Sequence, residues 1–136
     1  MNRIFTLTVN PVVDKYTTIP GLVPHKKIGC TEPVYYSGGG GINVSRAINN
    51  LGGKSIAIHF SGGRTGIHLQ ELLSNQEIEH YVIDLMGTTR ENLSVFDTAT
   101  DLCYRFGLPG PIVNENEWQK GLNLIERSLN KNDFLV

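Results

Sequence analysis

The chain concentrates its signal in Gly38-Gly39-Gly40-Gly41-Ile42-Asn43-Val44-Ser45-Arg46-Ala47-Ile48, followed by Leu51-Gly52-Gly53. Four glycines leave the backbone uncovered and free to take positive φ. Directly after them Val44, Ala47, Ile48 and Leu51 fall at i, i+3, i+4 and i+7, the spacing of a helix face, and Gly52 supplies a stop. The free N–H groups at such a helix start converge on one spot and favour an anion or a set of hydroxyl oxygens. A Walker A loop is excluded, because Gly41 is followed by Ile42-Asn43 and not by Gly-Lys-Ser/Thr. A dinucleotide fingerprint is excluded too, because its last glycine would fall on Asn43 or Val44. A glycine cluster alone also suits a flexible hinge. Asn43 favours binding, since an amide beside uncovered backbone both donates to and accepts from sugar hydroxyls.

On the N-terminal side, Ile4 to Val9 reads as a buried strand that Asn10-Pro11 ends. Strand candidates at Lys15 to Ile19 and Ile28 to Tyr36 are separated by Pro20-Gly21 and Pro24. On the C-terminal side, Lys54 to Phe60 is a strand, and Gly62-Gly63 turns into a second helix with Thr65 as expected N-cap and Leu69, Leu72 and Leu73 buried. Ile78 to Leu85 is a further core strand, and Asn92 to Phe96 with Leu102 to Phe106 reads as a hairpin. A last helix starts near Asn114, has Glu115 and Glu117 in its first turn, and is expected to bury Trp118, Leu122, Ile125 and Leu129. Alternating strands and helices predict an α/β architecture with a parallel sheet. The half-polar strands at 15–36 and 92–106 break the alternation and predict a separate, partly exposed antiparallel layer. Asp133 opens the apolar run Phe134-Leu135-Val136, where the sequence stops inside an expected core strand, as a truncated chain or an incomplete reading frame would.

The 136 residues allow one compact domain, and 40% hydrophobic with 18% charged residues is a globular composition. A net charge of -1 gives nothing to attract nucleic acid or an anionic membrane. No apolar stretch approaches the roughly 18 residues that span a bilayer. Cys30 and Cys103 form neither a disulfide framework nor a zinc site, and a cytoplasmic protein with reduced thiols is the default. His25, His59, His68 and His80 lack ligand spacing, with His59 expected in a strand and the others at the surface.

The glycine run through Ile48 and Leu51-Gly52-Gly53 resembles the first signature of the PfkB-type (ribokinase-like) carbohydrate kinases. The opening Thr6 to Pro11 with Asp14, the set Gly62-Gly63 with Thr65-Gly66, and Thr89 to Asn92 leading into Tyr104-Arg105-Phe106 are similar to that family as well. Asn114-Glu115 and Asp133 to Val136 keep the same order. The resemblance implies a ribokinase-like three-layer sandwich with a small antiparallel β lid. The chain would be the N-terminal part of one kinase domain, with lid strands at about 15–36 and 91–106 inserted.

It also implies roles. Asp14 would hold sugar hydroxyls, a task that suits an acceptor-only carboxylate beyond a strand end. Gly39, Gly40 and Asn43 would supply backbone and amide contacts. Arg90 and Arg105 would clamp a phosphate already on the substrate, through bidentate guanidinium forks. Lys27 would approach the phosphates from a partner subunit, and Asn92 would lie on the substrate side. Arg3, Arg46, Arg64 and Arg127 carry no such implication, and Trp118, Tyr35, Tyr36 and Phe96 read as packing.

The implied chemistry is transfer of the ATP γ-phosphoryl to a sugar-phosphate hydroxyl with Mg²⁺, for which positioning and charge stabilisation matter most. The family places its base in a Gly-Ala-Gly-Asp motif, and no Gly-x-Gly-Asp occurs here, so these residues alone are expected to be inactive. Gly40, where fructose-1-phosphate kinases usually carry lysine, resembles the 6-phosphofructokinase type and points to fructose 6-phosphate. 1-Phosphofructokinase and tagatose-6-phosphate kinase are the alternatives. A substrate-binding and dimerisation module, homodimeric through the lid, is the non-enzymatic alternative.

Overall fold

A computed structural model describes residues 2–136. It contains two four-stranded sheets and three helices. Strands β1 (Ile4–Thr8), β4 (Ile56–Ser61), β5 (Glu79–Asp84) and β8 (Phe134–Leu135) form a wholly parallel sheet in the order β5-β4-β1-β8. Side chains alternate between its faces. Ile56, Ile58 and Phe60 of β4 pack with Phe5, Ile83 and Leu85 beneath Leu124, Ile125 and Leu129, which belong to or directly follow α3 (Glu115–Ser128). Ala57 faces the other way and packs with Ile42, Leu69 and Leu73, from α1 (Gly40–Asn50) and α2 (Gly63–Asn75). Helices therefore cover both faces of the parallel sheet, as the α/β expectation required.

The second sheet has the order β3-β2-β6-β7, built from β2 (Val12–Ile19), β3 (Val34–Gly38), β6 (Arg90–Asp97) and β7 (Leu102–Phe106). It is mixed, which corrects the antiparallel expectation: β2 pairs parallel with β6, and only the outer pairs β2/β3 and β6/β7 are antiparallel. The two hairpin-like halves are separated by the whole α1–β4–α2–β5 unit. That crossover returns the chain in the same direction, and so makes the central pair parallel. The base of this sheet is anchored in the domain core through Val13, which is fully buried against Ile42, Ala57, Leu69 and Leu73.

Several local expectations shift. The segment 28–33 is not strand. It is tied to β2 at one point, where Thr31 N–H donates to Thr18 O (3.0 Å) and Thr17 Oγ1 donates to Thr31 O (2.7 Å), and Pro33 then removes a ladder donor. Helix α1 starts inside the glycine run, at Gly40, and buries Gly41, Ile42 and Ser45. Of the apolar positions at helical spacing, Val44 and Ile48 are half-buried, while Ala47 and Leu51 are exposed, Leu51 at 88%. The N-cap of α2 is Gly62, and Thr65 lies inside the first turn. Gly62 approaches the backbone oxygens of Leu85 and Gly87 too closely to carry any side chain.

Helix α3 begins with a capping box at Asn114 and Glu117. Glu117 is buried and also accepts from Met86 N–H at 2.7 Å, and these backbone donors hold its carboxyl below the usual range. This fixes the phase of the helix so that Glu117 and Gly121 face the sheet, with Gly121 against the Phe60 ring. Trp118 and Leu122, expected in the core, stand at 41% and 50% exposure instead.

Candidate functional site

In-register neighbours on paired strands share a face of the sheet. The β2/β6 register sets Val12 beside Arg90, Asp14 beside Asn92 and Tyr16 beside Ser94. The β6/β7 register sets Ser94 beside Arg105, and the β2/β3 register sets Asp14 beside Tyr36 and Val12 beside Gly38. Asp14, Arg90, Asn92 and Arg105 thus stand on one face of the second sheet, drawn together from segments more than 70 residues apart in the case of Asp14 and Asn92.

Asn92 Nδ2 donates to Asp14 Oδ1 at 3.1 Å, while Asn92 Oδ1 accepts from Leu108 N–H at 3.1 Å. The amide is therefore held at both ends, and the carboxylate keeps lone pairs for an incoming hydroxyl. A Cβ on Gly38 would lie 2.5 Å from Asp14 Oδ2, so the carboxylate rests against bare backbone. Gly39 has φ 126°, a conformation that favours glycine, and a side chain there would run into Thr8. A Cβ on Gly41 would lie 2.6 Å from Leu7 O, which shows how tightly the start of α1 is pressed onto β1. Gly40 differs from these three. It is exposed, and a Cβ there would meet nothing within 4 Å.

The first turn of α1 has donors to spare. Thr8 Oγ1 accepts from Ile42 N–H at 3.0 Å and Gly39 O accepts from Asn43 N–H at 2.8 Å. The N–H groups of Gly40 and Gly41 remain available for an anion or hydroxyl oxygen. Asn43 is exposed beside them, and its Oδ1 accepts from Arg46 Nη1 at 2.9 Å.

A cleft of about 480 Å³ opens between this helix start and the second sheet, lined among others by Asp14, Tyr36, Asn43, Arg46, Cys103 and Arg105. Arg46 was not singled out by sequence. Its Nη2 donates to Ser37 O and, at 2.6 Å, to Ser37 Oγ, and its Nε donates to Gln76 Oε1 at 3.2 Å. Burial pushes its pKa down and the charge of Asp14 pulls it back up. Its position three residues after Asn43, on the same side of a helix, is the one sequence signal that pointed to it. Tyr36, read as packing, is 51% exposed on the cleft wall.

Arg90 lies on the same sheet face, two residues from Asn92. Its two longest-range contacts are weak, to Leu108 O at 3.5 Å and Asn10 O at 3.4 Å, and its buried Nε has no partner. The guanidinium is thus anchored without being saturated. Lys27 is not brought to the cleft. It is exposed in the loop between β2 and β3, which leaves β2 after Ile19, at the end remote from Asp14. Among the described residues there is no cluster of three or more His, Cys, Asp or Glu placed to hold a metal ion.

A family model described as "pfkB family carbohydrate kinase" matches residues 7–136. The ATP-dependent 6-phosphofructokinase isozyme 2 of Escherichia coli is 44% identical over 120 residues, covering 88% of this chain and 39% of that protein. Its counterpart in Mycobacterium tuberculosis is 39% identical over 134 residues, covering 98% of this chain and 40% of that protein. The crystal structure of the Escherichia coli phosphofructokinase-2 in complex with fructose 6-phosphate superposes with a TM-score of 0.90 at 40% identity, over 99% of this chain and 44% of that one. The chain therefore spans about two fifths of the length of these relatives.

Proposed function

The chain belongs to the pfkB family of carbohydrate kinases, and from that premise we propose that it forms the sugar-phosphate side of an ATP-dependent 6-phosphofructokinase. The observation that carries this reading is the co-facial placement of an oriented carboxylate, Asp14, and the guanidinium of Arg105 across one cleft. Asp14 accepts hydroxyl donors of the sugar, and Asn92 holds the carboxylate in place. The backbone at Gly39 and Gly40 and the Asn43 amide supply the complementary donors. Arg105 and Arg90 neutralise the phosphate already on the substrate. Fixing the substrate in this way lowers the entropic part of a phosphoryl-transfer barrier, since positioning is most of that chemistry.

ATP and Mg²⁺ are the cosubstrate and metal that the family implies. Among the described residues no His, Cys, Asp or Glu cluster makes a metal cage. The sequence holds no Gly-x-Gly-Asp segment for the base, so these 136 residues are proposed to bind fructose 6-phosphate without turning it over. A homodimer through the second sheet accompanies this reading. It is supported by exposed Leu102 and Phe106 on β7 and by Leu22 and Val23 in the β2–β3 loop, and it offers a way for Lys27 to reach a partner's cleft.

Isothermal titration calorimetry with fructose 6-phosphate, against fructose as the control, tests the proposal. Binding of the phosphorylated sugar only, with no ATP-dependent product, is expected. A chain that binds neither sugar would overturn it, and sedimentation of the same sample reads the dimer.

A further inference from the structure

Arg46 is a charged group of the cleft that the reading above leaves without a task. Arg46 is half-buried on α1, and its guanidinium joins three elements. It meets Asn43 Oδ1 one helical turn before it (2.9 Å), Ser37 Oγ on β3 (2.6 Å) and Gln76 Oε1 at the end of α2 (3.2 Å). The Ser37 carbonyl accepts from it as well. Helical side chains lean toward the N-terminus, which lets residue 46 reach back over residue 43.

Two consequences follow from this geometry. First, a guanidinium only donates, so the Asn43 amide must turn its oxygen toward Arg46 and present its NH₂ group elsewhere. An amide that is ambivalent by itself becomes a donor, the complement of the acceptor-only Asp14. Second, Ser37 precedes Gly38 on β3, so the same guanidinium fastens the second sheet to α1 at the point where the glycine run begins. With four acceptors around it, Arg46 has little donor capacity left for a substrate phosphate, unlike Arg90 and Arg105.

We propose that Arg46 is a positioning residue of the sugar-phosphate cleft, setting the Asn43 amide as a hydrogen-bond donor and holding the glycine run in register with Asp14. The proposal rests on the sugar-phosphate reading of the cleft for its ligand, but its geometry stands apart from it.

The test is a double-mutant cycle of Arg46→Gln and Asn43→Ala with fructose 6-phosphate affinity as readout. Arg46→Gln alone is expected to weaken binding about 10- to 100-fold, the span typical for loss of a hydrogen-bonded charged partner. In the Asn43→Ala background the same substitution should have an effect several-fold smaller, because Arg46 acts largely through that amide. Fully additive losses would overturn the proposal and make Arg46 a direct phosphate ligand or a merely structural residue. Arg46→Lys, which keeps the charge but not the fork, should fail to rescue.

A ligand-free readout accompanies the cycle. The Asn43 side-chain NH₂ resonances should be dispersed in the native chain and move toward free-amide positions in Arg46→Gln while the core methyl signals stay in place. Unchanged Asn43 signals would overturn the proposal. If they move while the native chain binds no fructose 6-phosphate, the positioning stands and the sugar-phosphate reading falls.

Discussion

Asn92 and Asp14 face each other in register on two parallel strands, and the amide donates to the carboxylate at 3.1 Å. The pair joins β2 to a strand that begins only after two helices and three further strands have intervened. Asp14→Asn removes the acceptor-only character and should weaken fructose 6-phosphate binding about 100-fold, the scale of a lost charge-assisted hydrogen bond. Asn92→Ala leaves the carboxylate in place but unheld, so its cost should be smaller, about 10-fold. Calorimetric titration of both variants checks the order.

The two arginines on that sheet face should separate charge recognition from sugar recognition. Arg105→Ala should reduce the preference for fructose 6-phosphate over fructose by about 10-fold or more, as expected when a guanidinium–phosphate fork is lost. Arg90→Ala should act in the same direction and also lower the melting temperature, because its half-buried stem and its contacts to Asn10 and Leu108 support the cleft wall. Competition with fructose 1-phosphate and tagatose 6-phosphate in the same titrations reads the specificity directly.

Adjacent glycines should respond in opposite ways. Gly39→Ala places a Cβ at φ 126° and into Thr8, and should cost about 2 kcal/mol or more of stability. Gly40→Ala meets nothing within 4 Å and sits in the first turn of α1. Its stability should stay within about 1 kcal/mol of the native chain, while fructose 6-phosphate affinity falls because the added methyl stands over the backbone proposed to receive the sugar. Chemical denaturation and titration of the two variants together distinguish folding from binding.

Acid should destabilise the domain in two steps. His59 is fully buried on β4 with no hydrogen-bond partner for either ring nitrogen. Burial, and then the neighbouring His80 ring at 5.4 Å, lower its pKa to about 4. The unfolded chain takes up that proton near the ordinary value of about 6.5, so stability is complete above that pH and falls as the pH drops toward 4. The shift is worth up to about 3 kcal/mol. The second step belongs to Asp133, held at about pKa 2, first by the Arg3 side chain and then by the Asn130 and Arg3 backbone. Its contribution is present above about pH 4 and is lost as the pH falls toward 2. Thermal melts from pH 7 to 2 should show His59→Leu removing the first slope and Asp133→Asn shallowing the second, to which the lowered Glu117 and Asp97 carboxyls also contribute.

Much of the architecture was legible in the sequence because it rests on local signals. The β–α alternation, the helix start near Asn114 with its acidic first turn and the Leu69/Leu73 stripe each depend on residues a few positions apart. The misreadings have a common cause. Trp118 and Leu122 are apolar at helical spacing, yet the burying face was set by Glu117 and Gly121, where close backbone approach or a buried hydrogen bond outweighs hydrophobicity. Spacing alone does not reveal which of two overlapping stripes meets the sheet.

What the sequence determined by itself is the chemistry on offer. It provides a helix start stripped of side chains, an amide in its first turn, a carboxylate after the first strand and arginines in two later segments. Tertiary structure decided which of these meet. The crossover through α1, β4, α2 and β5 turns β6 parallel to β2, and that register, not sequence proximity, places Asn92 on Asp14 and Arg105 across from both. It also brought Ser37 and Gln76 to Arg46, a residue that its spacing from Asn43 alone does not mark as part of the site. Hydrogen bonds between residues tens of positions apart depend on how the sheets close, and no local pattern encodes that distance.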